Sequence, residues 1–183
     1  GTVRTIGHEA SGVIAGLADG LTRSDLRVGD RVTVETAAYL CLTCEYCRRE
    51  DYNRGPSRLG IGTTTDGALA DQLLIPERAV HVLPDSVSLL DGALTEPLAI
   101  AVHAVIEQSP SLAGQVVVVV GPGAIGQLCA QVAHAVGATV VLVGRSRHAA
   151  ALASAREFGI PVTVDAETED LDAVVRSLTD GYG

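Results

Sequence analysis

Three groups of residues in this 183-residue chain have side chains that could bind a metal or a nucleotide. The first group combines His8 and Glu9, adjacent in a glycine-flanked segment at residues 7–12, with Glu96 much further along the chain. Imidazole and carboxylate groups are suitable zinc ligands, and a catalytic zinc site keeps one coordination position open. The residue types alone leave the question of a zinc site open, because a histidine followed by glutamate carries little information by itself.

The second group is a cluster of cysteines. Cys41, Cys44 and Cys47 are separated by two-residue gaps, and Cys129 stands alone. Tight clustering of this kind is typical of metal ligation in a reducing compartment, whereas an extracellular disulfide framework has its cysteines dispersed through the chain. We therefore predict a cytoplasmic protein.

The third group is a glycine-rich loop that follows a run of five valines and opens a helical segment. The residues of this loop are Gly121, Pro122, Gly123, Ala124, Ile125 and Gly126. In such a loop the first glycine permits a tight turn, the second lets the backbone approach a pyrophosphate, and the third allows close packing of the helix. The diphosphate then lies on amide donors at the start of the helix, so the pattern predicts dinucleotide binding.

The residues after the second strand of this region bear on the choice of dinucleotide. An acidic residue is expected there when the adenosine ribose carries a free 2′-hydroxyl, but the chain has Arg145, with Arg147 close behind. A guanidinium matches the geometry of a 2′-phosphate, which favours NADP. The alternative is that both arginines are solvated surface residues and that NAD is held by the backbone alone.

The elements that must position these groups change in character along the chain. The first ninety residues contain short apolar runs separated by turn residues, which predicts a β-rich domain with irregular strands. The candidate strands are Ser11–Leu17, Asp30–Val34, Ala68–Ile75 and Ala79–Leu83. A connecting helical segment over 97–106 follows, with Pro97 near its start.

The remainder alternates strands and helices. The predicted strands are 116–120, 139–143 and 161–164, and the predicted helices are 124–136, 148–158 and 170–178. This order implies an α/β fold with a parallel sheet and right-handed crossovers. The all-valine run 116–120 is expected to be a strand covered on both faces.

Composition excludes several classes of partner. Thirteen basic residues against 22 acidic ones give a net charge of −9, which disfavours a nucleic-acid partner. The chain has no run of about 18 apolar residues, so we expect no membrane span. It also contains no methionine and no signal-peptide pattern, from which we expect an incomplete chain.

Taken together, the motifs resemble those of the zinc-dependent medium-chain dehydrogenase/reductase family, and most closely its polyol and threonine dehydrogenase branch. The blocks that carry this resemblance, in family order, are Gly7-His8-Glu9 with Gly12, Gly29-Asp30-Arg31-Val32, the cysteine cluster, Asp66-Gly67-Ala68-Leu69-Ala70, Leu83-Pro84-Asp85, Glu96-Pro97-Leu98-Ala99 with His103-Ala104-Val105, and the glycine loop. The resemblance implies a GroES-like catalytic domain over 1–90, truncated at its start. A connecting helix and the first half of a Rossmann domain would follow over 91–183, with 116–120 left as an unpaired edge strand.

The resemblance also implies an activity. It implies a catalytic zinc bound by His8, Glu9 and a cysteine that lies upstream of the present chain, with Glu96 at or beside the metal. Glu9 could instead support the ligands from outside the metal shell. The expected reaction is hydride transfer between NAD(P) and a secondary alcohol of a polyol, sugar-like or amino-alcohol substrate, or the corresponding ketone. A homo-oligomeric whole protein and an inactive 183-residue piece are further expectations.

The cysteine cluster departs from the family pattern. Cys41, Cys44 and Cys47 match three of the family's four structural-zinc cysteines, and the fourth would stand at position 55, where this chain has glycine. A structural zinc site requires four donors. Either a neighbouring residue such as Asp51 or a water completes the metal shell, or this part of the protein has lost its zinc and keeps the three thiols as relics.

Two other functions compete with a zinc-dependent dehydrogenase. One is a zinc-free quinone or enoyl reductase of the same superfamily, against which His8, Glu9 and Glu96 argue. The other is a non-catalytic, decayed dehydrogenase scaffold, which the missing cysteine at position 55 keeps open. A nucleic-acid knuckle built on three cysteines lacks a fourth ligand and carries the wrong net charge.

Overall fold

The computed structural model describes residues 4–182, and the chain divides into two compact units after Glu96. The first unit is built on a three-stranded antiparallel sheet in the order β1-β2-β3. Its strands are β1 (Ser11–Val13), β2 (Arg31–Val34) and β3 (Val80–Val82). All three are shorter than the runs predicted from the sequence, because an alternating apolar pattern extends beyond the residues that are paired in the ladder.

One predicted strand is wrong. Residues 68–75 are irregular, and their first amides bond to the chain just before His8, since Ala68 donates to the carbonyl of Gly7 and Leu69 to that of Ile6. Leu73 and Ile75 still pack into the core of the unit. The apolar pattern that predicted a strand therefore reflects partial burial of Leu73 and Ile75, which belong to no strand.

Short helices complete the first unit. Helix α1 (Glu45–Arg48) is capped by Cys44, and helix α2 (Leu89–Gly92) is capped by the hydroxyl of Ser88. Helix α3 (Thr95–Val102) contains the division between the two units, and its Pro97 lies in the first turn, where a missing amide donor costs no helical bond. A π-helical turn, His103–Glu107, continues α3, so the predicted connecting helix is present with a change of hydrogen-bond pattern.

The second unit has the predicted alternation of strands and helices. Its strands β4 (Val116–Val120), β5 (Thr139–Gly144) and β6 (Val162–Asp165) form a parallel sheet in that order. Its helices are α4 (Ala124–Ala135), α5 (Ala149–Glu157) and α6 (Leu171–Leu178), with a short 3-10 turn at Ser146–His148 before α5. The architecture is a GroES-like β-rich unit followed by a Rossmann-like parallel sheet with helices.

Strand β4 does not have the predicted burial. Val120 is 79% exposed and Val118 is 38% exposed, whereas Val140 to Val143 in β5 are all buried. The physical reason is position in the sheet: β5 is paired on both sides, whereas β4 pairs with β5 alone among the described strands. Among the described strands, β4 is therefore an edge strand, as expected.

Candidate metal centres and nucleotide-binding loop

The first unit brings together the three residues that sequence analysis proposed for a catalytic metal. One ligand atom from each of His8, Glu9 and Glu96 lies within 4.8 Å of the other two. His8 and Glu96 are half-buried, and Glu9 is exposed. An imidazole nitrogen and two carboxylate oxygens at this spacing can hold a divalent metal and leave further positions for other ligands.

Close packing of glycine backbones fixes the position of His8. Gly7 has a φ of +98°, and a Cβ built on either Gly62 or Gly67 would lie only 2.3 Å from the carbonyl oxygen of Gly7. Side chains at positions 62 and 67 are therefore incompatible with the present path of the backbone before His8. The peptide that carries the imidazole is held by direct backbone contact.

Glu96 is held by a different element. It lies in the first turn of α3, where the helix dipole favours a carboxylate, and its Oε1 accepts a hydrogen bond of 3.2 Å from the hydroxyl of Thr36. Thr36 follows β2, and its carbonyl oxygen accepts a hydrogen bond of 3.1 Å from the amide of Ile61. This bond fixes the backbone of the residue whose hydroxyl contacts Glu96. Sequence analysis did not identify Thr36, because no local pattern links it to a residue 60 positions away.

The cysteine cluster lies around α1. The Sγ atoms of Cys41, Cys44 and Cys47 are all within 4.8 Å of one another, and those of Cys41 and Cys47 are 3.8 Å apart. The Sγ of Cys44 caps α1 by accepting the amide of Cys47 at 3.5 Å. Leu42 adopts a left-handed φ of 57°, which turns the chain between the first two cysteines.

The thiols of this cluster differ in acidity. Hydrogen bonds from the backbone of Thr43 and Cys44 to the Cys41 sulfur favour its thiolate and lower the pKa of Cys41 to about 6. Desolvation, together with the sharing of a hydrogen bond with Cys44, raises the pKa of Cys47. A cation placed among the three sulfurs would favour the thiolate form of each.

No fourth donor accompanies the three sulfurs in the described part of the chain. A Cβ built on Gly55 would lie 3.8 Å from the Sγ of Cys44 and 4.0 Å from that of Cys47, so position 55 faces the cluster but has no side chain. Asp51 is outside the cluster, and its carboxylate forms an ion pair of 3.3 Å with Arg54. The expectation that Asp51 completes the set is not supported by this geometry.

A polar network fixes the segment after α1 to the sheet. The hydroxyl of Tyr52 donates to Oε2 of Glu35 at 3.2 Å, and Arg78 donates to the same oxygen at 3.0 Å. The Nε2 of His81 lies 2.8 Å from the other carboxylate oxygen, and the guanidinium of Arg78 stacks 5.1 Å from the centre of the Tyr52 ring. These contacts anchor Tyr52, three residues before Gly55, through protein groups alone.

In the second unit, the glycine loop connects the end of β4 to α4. Gly121 has a φ of +101°, and a Cβ on Gly126 would lie 1.8 Å from the carbonyl oxygen of Gly121, so α4 starts in contact with the turn. Gly123 is the N-cap residue of α4, has no side-chain cap, and a Cβ there would meet no atom within 4 Å. The loop thus combines a tight turn, close packing and open space at free helix amides, as a pyrophosphate site requires.

Arg145 is the first residue after β5; it is exposed, and it forms no ion pair in the described part of the chain. The next residue has acidic partners, which sequence analysis did not identify. The hydroxyl of Ser146 donates to Asp165 at 2.6 Å, and its amide donates to Glu167 at 3.0 Å. The hydrogen bonds from Ser146 and from the amide of Glu167 lower the pKa of Asp165, so two carboxylates border the loop that carries Arg145.

Comparison with known proteins identifies the family to which the chain belongs. Residues 2–85 match the family described as "Alcohol dehydrogenase GroES-like domain", and residues 124–183 match "Zinc-binding dehydrogenase". The chain is 41% identical over 178 residues to D-arabitol-phosphate dehydrogenase of Enterococcus avium, covering 97% of this chain and 50% of that protein. It is 43% identical over 179 residues to sorbitol dehydrogenase of Halalkalibacterium halodurans, covering 98% of this chain and 51% of that protein.

A solved structure has the same fold. The crystal structure of galactitol-1-phosphate dehydrogenase from Escherichia coli superimposes with a TM-score of 0.84 at 31% identity, over 96% of this chain and 50% of that one. The chain therefore belongs to the zinc-binding medium-chain dehydrogenase family, and it spans about half the length of the relatives it matches. Among residues 4–182, every helix is too short or too polar to cross a membrane.

Proposed function

We propose that the whole protein is a zinc-dependent, nicotinamide-linked dehydrogenase that oxidises a secondary alcohol of a polyol or polyol phosphate. The observation that carries this proposal is the convergence of His8, Glu9 and Glu96 within 4.8 Å, in a chain that also carries a glycine loop at the start of a Rossmann helix. The named activities of the two relatives, which act on arabitol phosphate and sorbitol, support the substrate class.

The residues present suit a catalytic zinc. His8 offers an imidazole nitrogen, and Glu9 and Glu96 offer carboxylate oxygens, while Thr36 orients Glu96 through its hydroxyl. When bound, zinc polarises an alcohol oxygen and the nicotinamide ring accepts the hydride. The role of the chain itself is to fix these donors on α3 and on the glycine-packed segment before His8.

The cofactor is NADP in this proposal. Arg145 presents an exposed guanidinium directly after β5, where the adenosine ribose lies in this type of fold. Asp165 and Glu167 act against a 2′-phosphate, because they occupy the hydroxyl and amide of Ser146 and add negative charge nearby. The preference for NADP thus depends on Arg145 outweighing two carboxylates.

The test uses the whole protein as purified. With Cys44→Ser in every protein to remove the cysteine cluster, we expect one zinc per chain, alcohol-dependent reduction of NADP with a polyol or polyol phosphate, and loss of this zinc and of activity in His8→Ala and Glu96→Ala. His81→Ala is a matched control, since His81 lies at Glu35 and outside the candidate metal site. Normal alcohol oxidation by metal-free protein would refute the proposal, and metal-free turnover of a quinone or activated alkene would assign the protein to the zinc-free reductases instead.

A further inference from the structure

The cysteine cluster is a second candidate metal site. At its fourth ligand position, called the fourth corner below, the chain has Gly55, which has no side chain. We propose that Cys41, Cys44 and Cys47 form a three-thiolate metal site with an open fourth position, which a small-molecule thiol fills as an exchangeable ligand. The proposal is independent of the dehydrogenase activity, because none of these cysteines belongs to the cluster of His8 and the two glutamates.

The separation of the sulfurs suits a metal. Two thiolates on a tetrahedral zinc with Zn–S bonds of about 2.3 Å lie about 3.8 Å apart. The Sγ atoms of Cys41 and Cys47 are 3.8 Å apart, and the Sγ of Cys44 lies within 4.8 Å of both. The amide of Cys47 also donates to Cys44 at 3.5 Å, as an N–H group supports a metal-bound thiolate.

The fourth corner has a defined position and no donor. Because a Cβ on Gly55 would lie 3.8 Å from Cys44 Sγ and 4.0 Å from Cys47 Sγ, a side chain at 55 would be directed at the same centre. The nearest atom to that Cβ is the carbonyl oxygen of Tyr52, at 3.1 Å. Within residues 4–182, no Asp, Glu or His joins the three sulfurs. A closed four-cysteine site therefore does not fit this chain, whereas an open three-cysteine site does.

The open corner is accessible and favours a soft ligand. Cys41 is exposed and Leu42 beside it is 64% exposed, whereas Cys44, Cys47 and Gly55 are half-buried, so the cluster is reached from solvent on the Cys41 side. Three thiolates select a soft or borderline metal such as Cu(I) or zinc, for which a further thiolate is a suitable ligand. The Tyr52–Glu35 hydrogen bond anchors the chain three residues before Gly55.

The experiment measures thiolate-to-cobalt charge-transfer absorption in the whole protein after Co²⁺ loading, under a phosphine reductant. The spectrum of Cys44→Ser is subtracted, so that only the cysteine cluster contributes. Adding 2-mercaptoethanol to the wild type should raise the charge-transfer intensity by about one third, as three thiolates become four. The Gly55→Cys variant should have the higher intensity without added thiol and should not respond to it. Cys129→Ser, in α4 of the other unit, is the matched control and should respond as the wild type does.

Several outcomes would overturn the proposal. If the wild type has the intensity of Gly55→Cys before any thiol is added, the protein itself supplies the fourth ligand. If reduced wild type has no thiolate-to-cobalt band, the cluster binds no metal. If the band is present with three-thiolate intensity and 2-mercaptoethanol leaves it unchanged, the fourth position is not open to exchange. None of these readouts depends on alcohol oxidation, so they are distinguishable from failure of the proposed dehydrogenase activity.

Discussion

Substituting Gly67 with alanine should disrupt the candidate catalytic metal site without changing a ligand. The added Cβ would lie 2.3 Å from the carbonyl oxygen of Gly7, 2.6 Å from the Cα of Gly62 and 2.6 Å from the carbonyl of Ile6. Real Cβ contacts are essentially never under 3.0 Å, so the backbones of Gly7 and Gly67 must separate by at least 0.7 Å. All three contacts are to backbone, so no flexible side chain can turn away to relieve them.

The size of the effect follows from where this movement occurs. His8 is bonded directly to Gly7, so any movement of the Gly7 peptide displaces the imidazole. Overpacking of this kind typically costs about 1–3 kcal/mol of unfolding free energy. Displacing a metal ligand through its support typically weakens metal binding by about 10–100-fold. We expect both effects in Gly67→Ala.

The assay is zinc affinity by competition with a chelator, with all proteins carrying Cys44→Ser so that the cysteine cluster does not contribute. Gly12→Ala is the matched control, since a Cβ at Gly12 in β1 would meet no atom within 4 Å. Denaturant unfolding of the same proteins measures the stability change. Unchanged zinc affinity and unfolding free energy in Gly67→Ala would show that the backbone contact does not position His8.

Three further predictions concern other parts of the chain. Gly126→Ala should abolish dinucleotide binding, measured by fluorescence titration with NADPH, because its Cβ would lie 1.8 Å from the carbonyl oxygen of Gly121; retained binding would refute close packing as the basis of the loop. Arg145→Ala should weaken NADP binding on the order of tenfold or more, the size of one lost charge-assisted hydrogen bond, while NAD binding is unchanged; equal losses for both cofactors would contradict the assignment to the 2′-phosphate. Glu77→Gln should reduce the acid sensitivity of unfolding, because hydrogen bonds from Arg23 and Thr22 hold the pKa of Glu77 below its ordinary 4.5. A carboxyl group whose pKa is lower in the folded than in the unfolded state stabilises the fold at pH values above its unfolded-state pKa, and this stabilisation is lost as the pH falls through its folded-state pKa. Below about pH 4.5 the free energy of unfolding in urea should therefore decrease more in the wild type than in the variant. Parallel pH profiles of the two proteins would refute this role of Glu77.

The second unit was predictable from sequence to within a residue or two at most element ends. Its strands and helices alternate at regular spacing, and the glycine loop stands between a β-branched run and a helical segment, so local preferences and the fold agree. The burial of β4 was not predictable from its five valines, because burial depends on which strands lie on either side. The same limit explains residues 68–75, where Leu73 and Ile75 pack against the core without a ladder, whereas Leu69 and Leu74 are exposed.

For the candidate sites, the sequence determined which donors the chain possesses: an adjacent histidine and glutamate, a distant glutamate, three spaced cysteines and a glycine loop. These donors are recognisable from residue type and from spacing over a few residues, because residues that are close in sequence are also close in space. Only the tertiary structure decided which donors meet and what supports them. The Thr36–Glu96 hydrogen bond and the packing of Gly67 on Gly7 each join segments 60 residues apart in the chain. Such contacts depend on how the whole backbone folds, because no local preference encodes a partner many residues away.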